Sequence, residues 1–352
     1  MNHFFGCDAH KRYSVFAAIN EAGQKGAAVR VENNRALFRR FLSALPPGSP
    51  IALETVGNWY WMVDEMEKAG HLPRLTHAAK AKLMMGQINK TDKLDAHALA
   101  LLLRNGTLPA VWIPPGELRD QRELPRMRMA LVYVRTKFKN RIHATLDKYA
   151  LQIPEVSDIF GVTGRLLLKQ RLKELPSYTC QSVETQLELL DQVEDHLRGC
   201  EEKIKGVTKK VPAMELLMTL PGVGFILGVV LALEIGEISR FPTSHHLASY
   251  AGTVPRIKES GGKRYYGQVR PDVNRYLKWA LVEAANIIVI NQGRWSSRHV
   301  VRLYRRVKER RGHAKAVVAV ARHLAEAAFW VLKRNEPYKE PQGNKPVSST
   351  QE

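Results

Sequence analysis

An α/β N-terminal domain, a helical middle and a mostly α C-terminal part are what the sequence predicts, on three observations. Short strand-like runs alternate with helical ones in the first part of the chain. Apolar residues then recur every three or four positions from Leu124 to Tyr149, the period of a helix face. Further on, Leu220-Pro221-Gly222-Val223-Gly224 breaks the pattern before the apolar run Phe225 to Leu233.

The elements follow in order. His3 to Asp8, Ser14 to Asn20 and Ala27 to Glu32 read as a three-stranded meander, with a turn at Glu21-Ala22-Gly23. Asn33 or Asn34 caps a helix that runs through Leu45. Pro50 to Val56 is a fourth, apolar strand, Trp59 to Ala69 a helix stopped by Gly70, and Leu72 to Thr76 a fifth strand. This order of strands and helices is the RNase H-like order, completed by a helix that carries Asp92 and Asp95. Gly106 to Glu117, with Pro109, Pro114 and Pro115, marks a boundary.

Beyond it, Leu124, Met127, Leu131, Val134, Phe138, Ile142, Leu146 and Tyr149 define a long helix, with Arg135, Lys137, Lys139, Arg141 and Lys148 giving it a basic outer face. Val183, Leu187, Leu190, Leu197 and Ile204 define a second helix, acidic near Glu188, Asp191, Glu194 and Asp195. The two are expected to pair as an antiparallel coiled coil, within the chain or between subunits. The expected domains are thus 1–110, a coiled-coil region 116–206 and a C-terminal domain 207–335. The polar Pro/Gly/Ser-rich tail 340–352 is expected to be disordered.

Composition narrows the function. With 54 Lys and Arg against 34 Asp and Glu, the formal net charge is +20, a surface that attracts polyanions and favours nucleic acid over anionic lipid. Cys7, Cys180 and Cys200 are an odd, widely spaced set without a CxxC pair, which supports neither a disulfide framework nor a zinc site and fits a reducing cytoplasm. The run Phe225 to Leu233 is half of what a bilayer span needs, and Met1 to Lys11 lacks the apolar core of a signal peptide, so a soluble, unexported protein is expected.

Two groups of residues carry candidate chemistry. Asp8 ends the first strand and Glu54 lies on the fourth, its neighbour in the expected fold. Asp92 and Asp95, three apart, project from one helix face towards the sheet. Four such carboxylates suit Mg²⁺ or Mn²⁺. Taken singly, an acid at a strand end or in a first helical turn is commonplace. Jointly, and behind the apolar Phe4-Phe5-Gly6-Cys7 and Ile51-Ala52-Leu53, they require a compensating partner.

The second group is basic. The Leu220 to Gly224 turn is either the hairpin of a helix-hairpin-helix, with Gly222 and Gly224 at a DNA phosphate, or an ordinary turn between packed helices. Arg302, Arg305, Arg306, Lys308, Arg310, Arg311 and Lys315 stand against Glu309 alone and suggest phosphate contact, with Arg256, Lys263 and Arg264 as further contacts. Ser260, in Glu259-Ser260-Gly261-Gly262-Lys263-Arg264, is placed on a flexible basic loop where a hydroxyl could reach a phosphate and Lys263 and Arg264 could balance developing charge. A Ser-Gly-Gly run is also a commonplace turn. The absence of a Gly-x-Ser-x-Gly elbow argues against a serine hydrolase.

From the first strand to about residue 335 the chain resembles the IS110-family transposases, which include the Piv-type DNA invertases. The likeness rests on Asp8-Ala9-His10-Lys11, Glu54-Thr55-Val56-Gly57, Lys90-Thr91-Asp92-Lys93-Leu94-Asp95-Ala96, the Leu220 to Gly224 turn, and Gly252 to Pro255 with Ser260-Gly261. It implies a RuvC-type RNase H fold with a DEDD site at Asp8, Glu54, Asp92 and Asp95, a coiled coil, and a C-terminal domain with Ser260 as nucleophile. The implied chemistry is a composite one, in which Mg²⁺ or Mn²⁺ polarises the scissile phosphate while Ser260 attacks and forms a phosphoserine link. The implied partners are donor and target DNA, a non-coding guide RNA and further copies of the chain in a homodimer or homotetramer, in the bacterial cytoplasm at the nucleoid. Val273-Asn274 and Lys278 depart from the family's usual Gly-Asn and arginine, where lysine cannot reproduce a bidentate contact. A hydrolytic RuvC-like nuclease such as a junction resolvase, and a non-catalytic nucleic-acid-binding protein derived from a transposase, are the competing expectations.

Overall fold

The computed structural model describes residues 3–86, 91–208, 211–269 and 272–341. The chain divides into two compact units, Met1–Gly116 and Glu117–Glu352.

In the first unit β1 (His3–Ala9), β2 (Tyr13–Asn20) and β3 (Val29–Glu32) form an antiparallel meander. There follow α1 (Arg35–Ser43), β4 (Pro50–Glu54), α2 (Trp59–Lys68), β5 (Leu72–Thr76), α3 (Ala78–Met85) and α4 (Asp92–Arg104). β4 pairs in parallel with both β1 and β5, so the sheet has the order β3-β2-β1-β4-β5. Asn34 is the cap of α1, its side chain accepting from the Ala36 and Leu37 amides. Asn33 instead donates to the carbonyl of His10.

Side chains alternate across a pleated sheet, and here the two faces differ in size. Phe5, Cys7, Phe16, Ile51 and Leu53 form one face, packed with Phe38, Leu42, Met62, Val63 and Met66 of α1 and α2. The opposite face carries Gly6, Asp8, Ala17 and Ala52, with Ala17 packed on Ala96 and Ala52 on Leu99 of α4. A Cβ on Gly6 would lie 2.0 Å from the Ala96 carbonyl and 2.6 Å from the Ala100 amide nitrogen. Only a residue without a side chain permits α4 to lie this close to β1.

The stretch expected to be a boundary does contain the division between the units, at Gly116 and Glu117, and its earlier part packs onto the first unit. Pro109 O accepts from the His77 amide and the Thr76 hydroxyl, Val111 N donates to Leu75 O, and Ala110 bridges Thr76. Pro109, Ala110 and Val111 thus cover the β5 edge.

The second unit takes up α5 (Gly116–Gln121), then α6 (Glu123–Lys148), α7 (Val162–Arg171) and α8 (Ser177–Thr208). α6 and α8 run antiparallel. Arg128 pairs with Glu201 at 2.7 Å, Lys139 with Glu194 at 3.7 Å, and Tyr149 OH meets the Thr179 hydroxyl at 3.2 Å. Ile142 and Leu146 pack with Val183 and Leu187. The partner of the long helix is therefore found within the chain.

The remaining elements are α9 (Pro212–Leu217), α10 (Phe225–Ile235), α11 (Ser244–Tyr250), β6 (Pro255–Ser260), β7 (Lys263–Val269), α12 (Arg275–Ile290), α13 (His299–Arg311) and α14 (His313–Arg334). α10 is apolar all round because neighbours surround it. No helix among the described residues is long and apolar enough to cross a membrane. Glu234 of α10 is buried, and the Arg126 side chain of α6 donates to both its carboxylate oxygens at 2.8 and 3.1 Å. Arg122 donates to the Leu233 and Glu234 carbonyls, and Asn274, the α12 cap, donates to Glu234 Oε2. Buried charge is tolerated only with such partners. Asn274 of the divergent Val273-Asn274 pair is thereby part of the frame that joins α6, α10 and α12.

Two expectations change here. Ser260 is not on a flexible loop: it ends β6 and pairs with Lys263 across a two-residue turn of Gly261 and Gly262, whose φ angles are +55° and +72°. Consecutive positive φ values are what a tight hairpin demands and what glycine supplies. Gly222 (φ +76°) lies on α12, where a Cβ would meet the Ala284 carbonyl at 2.3 Å, so it serves helix packing while Gly224 is exposed at the start of α10. The tail expected from residue 340 begins with Glu340 accepting from the His299 amide; residues 342–352, like Lys90, lie outside the described residues.

Candidate functional site

The β1–β4 register brings the first two acids to one end of the sheet. Cys7 pairs with Leu53, so Asp8 and Glu54 are the next residues on parallel neighbours, and alternation puts both on the α4 face with Gly6 and Ala52. α4 begins there. Thr91 caps it, its hydroxyl accepting from Leu94 N at 3.3 Å, and Asp92 and Asp95 fall in its first turn, where the helix dipole favours negative charge.

The resulting geometry is compact. His10 Nε2 lies 3.2 Å from Asp8 Oδ2 and 3.3 Å from Asp92 Oδ2, and Tyr13 OH donates to Asp92 Oδ2 at 3.0 Å. One ligand atom each from Asp8, His10 and Asp92 all fall within 4.8 Å of one another. The Asp8 side chain is 14% exposed. Burial pushes its pKa up from the ordinary carboxylate value; the nearby His10 opposes this, and the charges of Asp95 and Asp92 add to it. Asp95 is therefore electrostatically part of the group. Glu54 is half-buried at the end of β4.

Asp8 Oδ2 and His10 Nε2 are buried atoms without a hydrogen-bond partner, although they face each other. A buried anion left so is costly, and several carboxylates crowded together raise that cost. A divalent cation would relieve both, and Asp8 and Asp92 belong to a group of side chains placed closely enough to hold one. Beside Asp92, a cleft of about 630 Å³ is lined by Tyr13, Val15, Ala28, Arg30, Thr91 and Lys93, two of them basic. His10 was not singled out by sequence reasoning as a site residue. The available signal was its spacing: two residues past Asp8, it shares that residue's face of the extended chain.

The remaining candidates belong to the second unit. Ser260 is exposed at the hairpin tip. Arg264 is engaged by Glu259 at 2.9 and 3.1 Å, while Lys263 and Arg256 are exposed. Tyr265 and Tyr266 on β7 are 59% and 63% exposed, which gives the hairpin an aromatic as well as a basic surface that residue-by-residue reading had missed. On α13, Arg305 donates to Gln292 O and Arg306 is exposed.

The mixed α/β unit with acids gathered at one sheet end, ahead of a mostly helical second unit, is consistent with a DEDD nuclease-like domain. The DEDD transposase domain model of the IS110 type matches residues 5–151. The model described as "Transposase IS116/IS110/IS902 family" matches residues 214–300. The two matches, one beginning in each unit, make the chain similar to the IS110-family transposases. It is 25% identical over 95% of its length to a "Probable family 20 transposase" of Pseudomonas aeruginosa, covering 98% of that protein. It is 28% identical to the "Transposase for insertion sequence element IS1111A" of Coxiella burnetii, over 71% of this chain and 69% of that one. It is also 24% identical to the "Pilin gene-inverting protein" of Moraxella bovis, over 82% and 81%.

Proposed function

We propose that this chain cuts and rejoins DNA as the transposase or recombinase of an IS110-type insertion sequence. The observation that carries the reading is the gathering of Asp8, Asp92 and the charge of Asp95 around one unpartnered buried oxygen, in a chain similar to this family. Asp8, Glu54, Asp92 and Asp95 hold Mg²⁺ or Mn²⁺, and Tyr13 orients Asp92 through its hydroxyl. When bound, the cation polarises the scissile phosphodiester.

Ser260 is the nucleophile in this reading. Its Oγ bonds to phosphorus as the bond from phosphorus to the leaving deoxyribose oxygen breaks; the hydroxyl proton is released and the leaving oxygen takes one up. The phosphoserine link keeps the bond energy, so attack by a DNA hydroxyl restores a phosphodiester and frees the serine. Lys263, opposite Ser260 in the hairpin, offsets charge developing at phosphorus. Arg256, Arg264, Arg305, Arg306 and the exposed Gly224 contact nucleic acid, both the DNA and an element-encoded guide RNA. The active particle is a homodimer or homotetramer, acting in the bacterial cytoplasm at the nucleoid.

The test is an assay with end-labelled DNA, the element's RNA and Mg²⁺, scored for a protease-sensitive covalent adduct. Wild type is expected to form the adduct and Ser260→Ala to lose it, whereas Asp8→Ala loses cleavage but retains DNA binding. Cleavage without an adduct in both wild type and Ser260→Ala would instead identify a hydrolytic nuclease. The Gly261-Gly262 turn, which accounts for Ser260 as a plain hairpin residue, favours that second reading.

A further inference from the structure

We propose that His10 is a nitrogen ligand of the carboxylate centre, which turns an all-oxygen site into a mixed one and shifts its preference from Mg²⁺ towards Mn²⁺. The inference rests on the reading of Asp8 and Asp92 as metal ligands.

The geometry is that of a ligand edge. Two donors bound about 2.1 Å from one ion at right angles lie about 3.0 Å apart. His10 Nε2 stands 3.2 Å from Asp8 Oδ2 and 3.3 Å from Asp92 Oδ2, two such edges sharing a corner. A simple ion pair between a protonated imidazole and a carboxylate would aim its N–H at one oxygen. Neither contact does so: Nε2 and Asp8 Oδ2 both lack a hydrogen-bond partner, which leaves both atoms available to an ion.

The turn that carries His10 is fixed from several sides. Its carbonyl accepts from Asn33 Nδ2 at 2.6 Å and Asn58 Nδ2 at 2.9 Å, and its amide donates to Tyr13 O at 2.9 Å. The imidazole packs on the Tyr13 ring at a centroid distance of 4.7 Å. A ring so held is pre-positioned for a ligand's role. Imidazole nitrogen suits transition-metal ions, whereas Mg²⁺ strongly prefers oxygen, so the mixed set discriminates between them.

Pulsed electron paramagnetic resonance of Mn²⁺ on the full-length chain tests this, since a directly bound ¹⁴N modulates the echo. The expected result is a nitrogen coupling in wild type that His10→Ala removes, with Mn²⁺ affinity in calorimetry weakened tenfold or more and Mg²⁺ affinity changed much less. Mn²⁺ bound without nitrogen coupling in wild type would overturn the proposal, even if His10→Ala failed to fold. So would unchanged or tighter Mn²⁺ binding by His10→Ala, the mark of a counter-ion rather than a ligand. Asp8→Ala separates this from failure of the centre itself: if it leaves Mn²⁺ binding intact the carboxylate reading falls, and if it alone abolishes binding only the role of His10 does.

Discussion

Glu65 shows how one side chain can couple two helices and a pH range. It is 1% exposed, and Arg39 and Arg35 of α1 both bond its carboxylate, Arg35 at 2.6 Å and Arg39 through Nε and Nη2. The Arg39 hydrogen bond, ahead of that from Arg35, holds its pKa down at about 2 from 4.5, against the opposing effect of burial. Because the folded value is depressed, the pair contributes stability above pH 4.5, and that contribution is lost as the pH falls through 4.5 towards 2. Glu65→Gln should lower stability at pH 7 by roughly 2 kcal/mol, after allowing for the half-exposed arginines. It should also flatten the acid limb of a melting-temperature profile taken between pH 7 and 3. A mutant profile parallel to wild type would show that the pair does not set that limb. None of this was legible in the sequence, where Arg35, Arg39 and Glu65 are ordinary members of two amphipathic helices and only the fold brings them together.

At the scale of elements, Gly6 decides whether the carboxylates can meet. Its missing Cβ lets α4 approach β1, and α4 carries Asp92 and Asp95 in the turn that faces Asp8. Gly6→Ala would press a methyl group into the Ala96 carbonyl and the Ala100 amide, at a cost of about 1–3 kcal/mol, and the helix would tilt away to relieve it. The expected outcome is a lower melting temperature with weakened Mn²⁺ binding in calorimetry, although no ligand has been altered. Full Mn²⁺ affinity in a destabilised Gly6→Ala would mean that the centre does not depend on the α4 approach. In both units many elements are readable: the fifth strand, Leu72–Thr76, has the bounds its pattern predicts, and α6 and α8 of the second unit follow their apolar spacing. The misread elements are those whose pattern lacks an apolar face. The described side chains of β6 and β7 are nearly all exposed, so no alternation marks these strands, and only Gly261-Gly262 points to a hairpin. Gly6 passed as one more strand residue because its contacts lie ninety positions downstream.

For the whole molecule, the formal charge of +20 makes a statement that no single contact does. Phosphate neutralisation by Lys and Arg releases counterions, so the logarithm of affinity falls linearly with the logarithm of salt concentration, with a slope near −0.9 per phosphate contacted on duplex DNA. Many of this chain's cations are already paired: Arg264 with Glu259, Arg128 with Glu201, Arg126 with Glu234. The slope should therefore reflect the exposed group, among them Arg256, Lys263 and Arg306, rather than the total of 54 basic residues. A filter-binding series between about 50 and 200 mM salt should show a loss of two or more orders of magnitude. Arg306→Ala and Lys263→Ala should each reduce the slope by about one, as removal of a phosphate contact requires. Asp8→Ala should leave the slope unchanged, because the acids engage the reacting phosphate only through a cation. A flat salt response in wild type would mean that the excess charge does not meet the DNA backbone. A slope unmoved by Arg306→Ala and Lys263→Ala would transfer the contact to other basic residues and remove α13 and the hairpin from the interface.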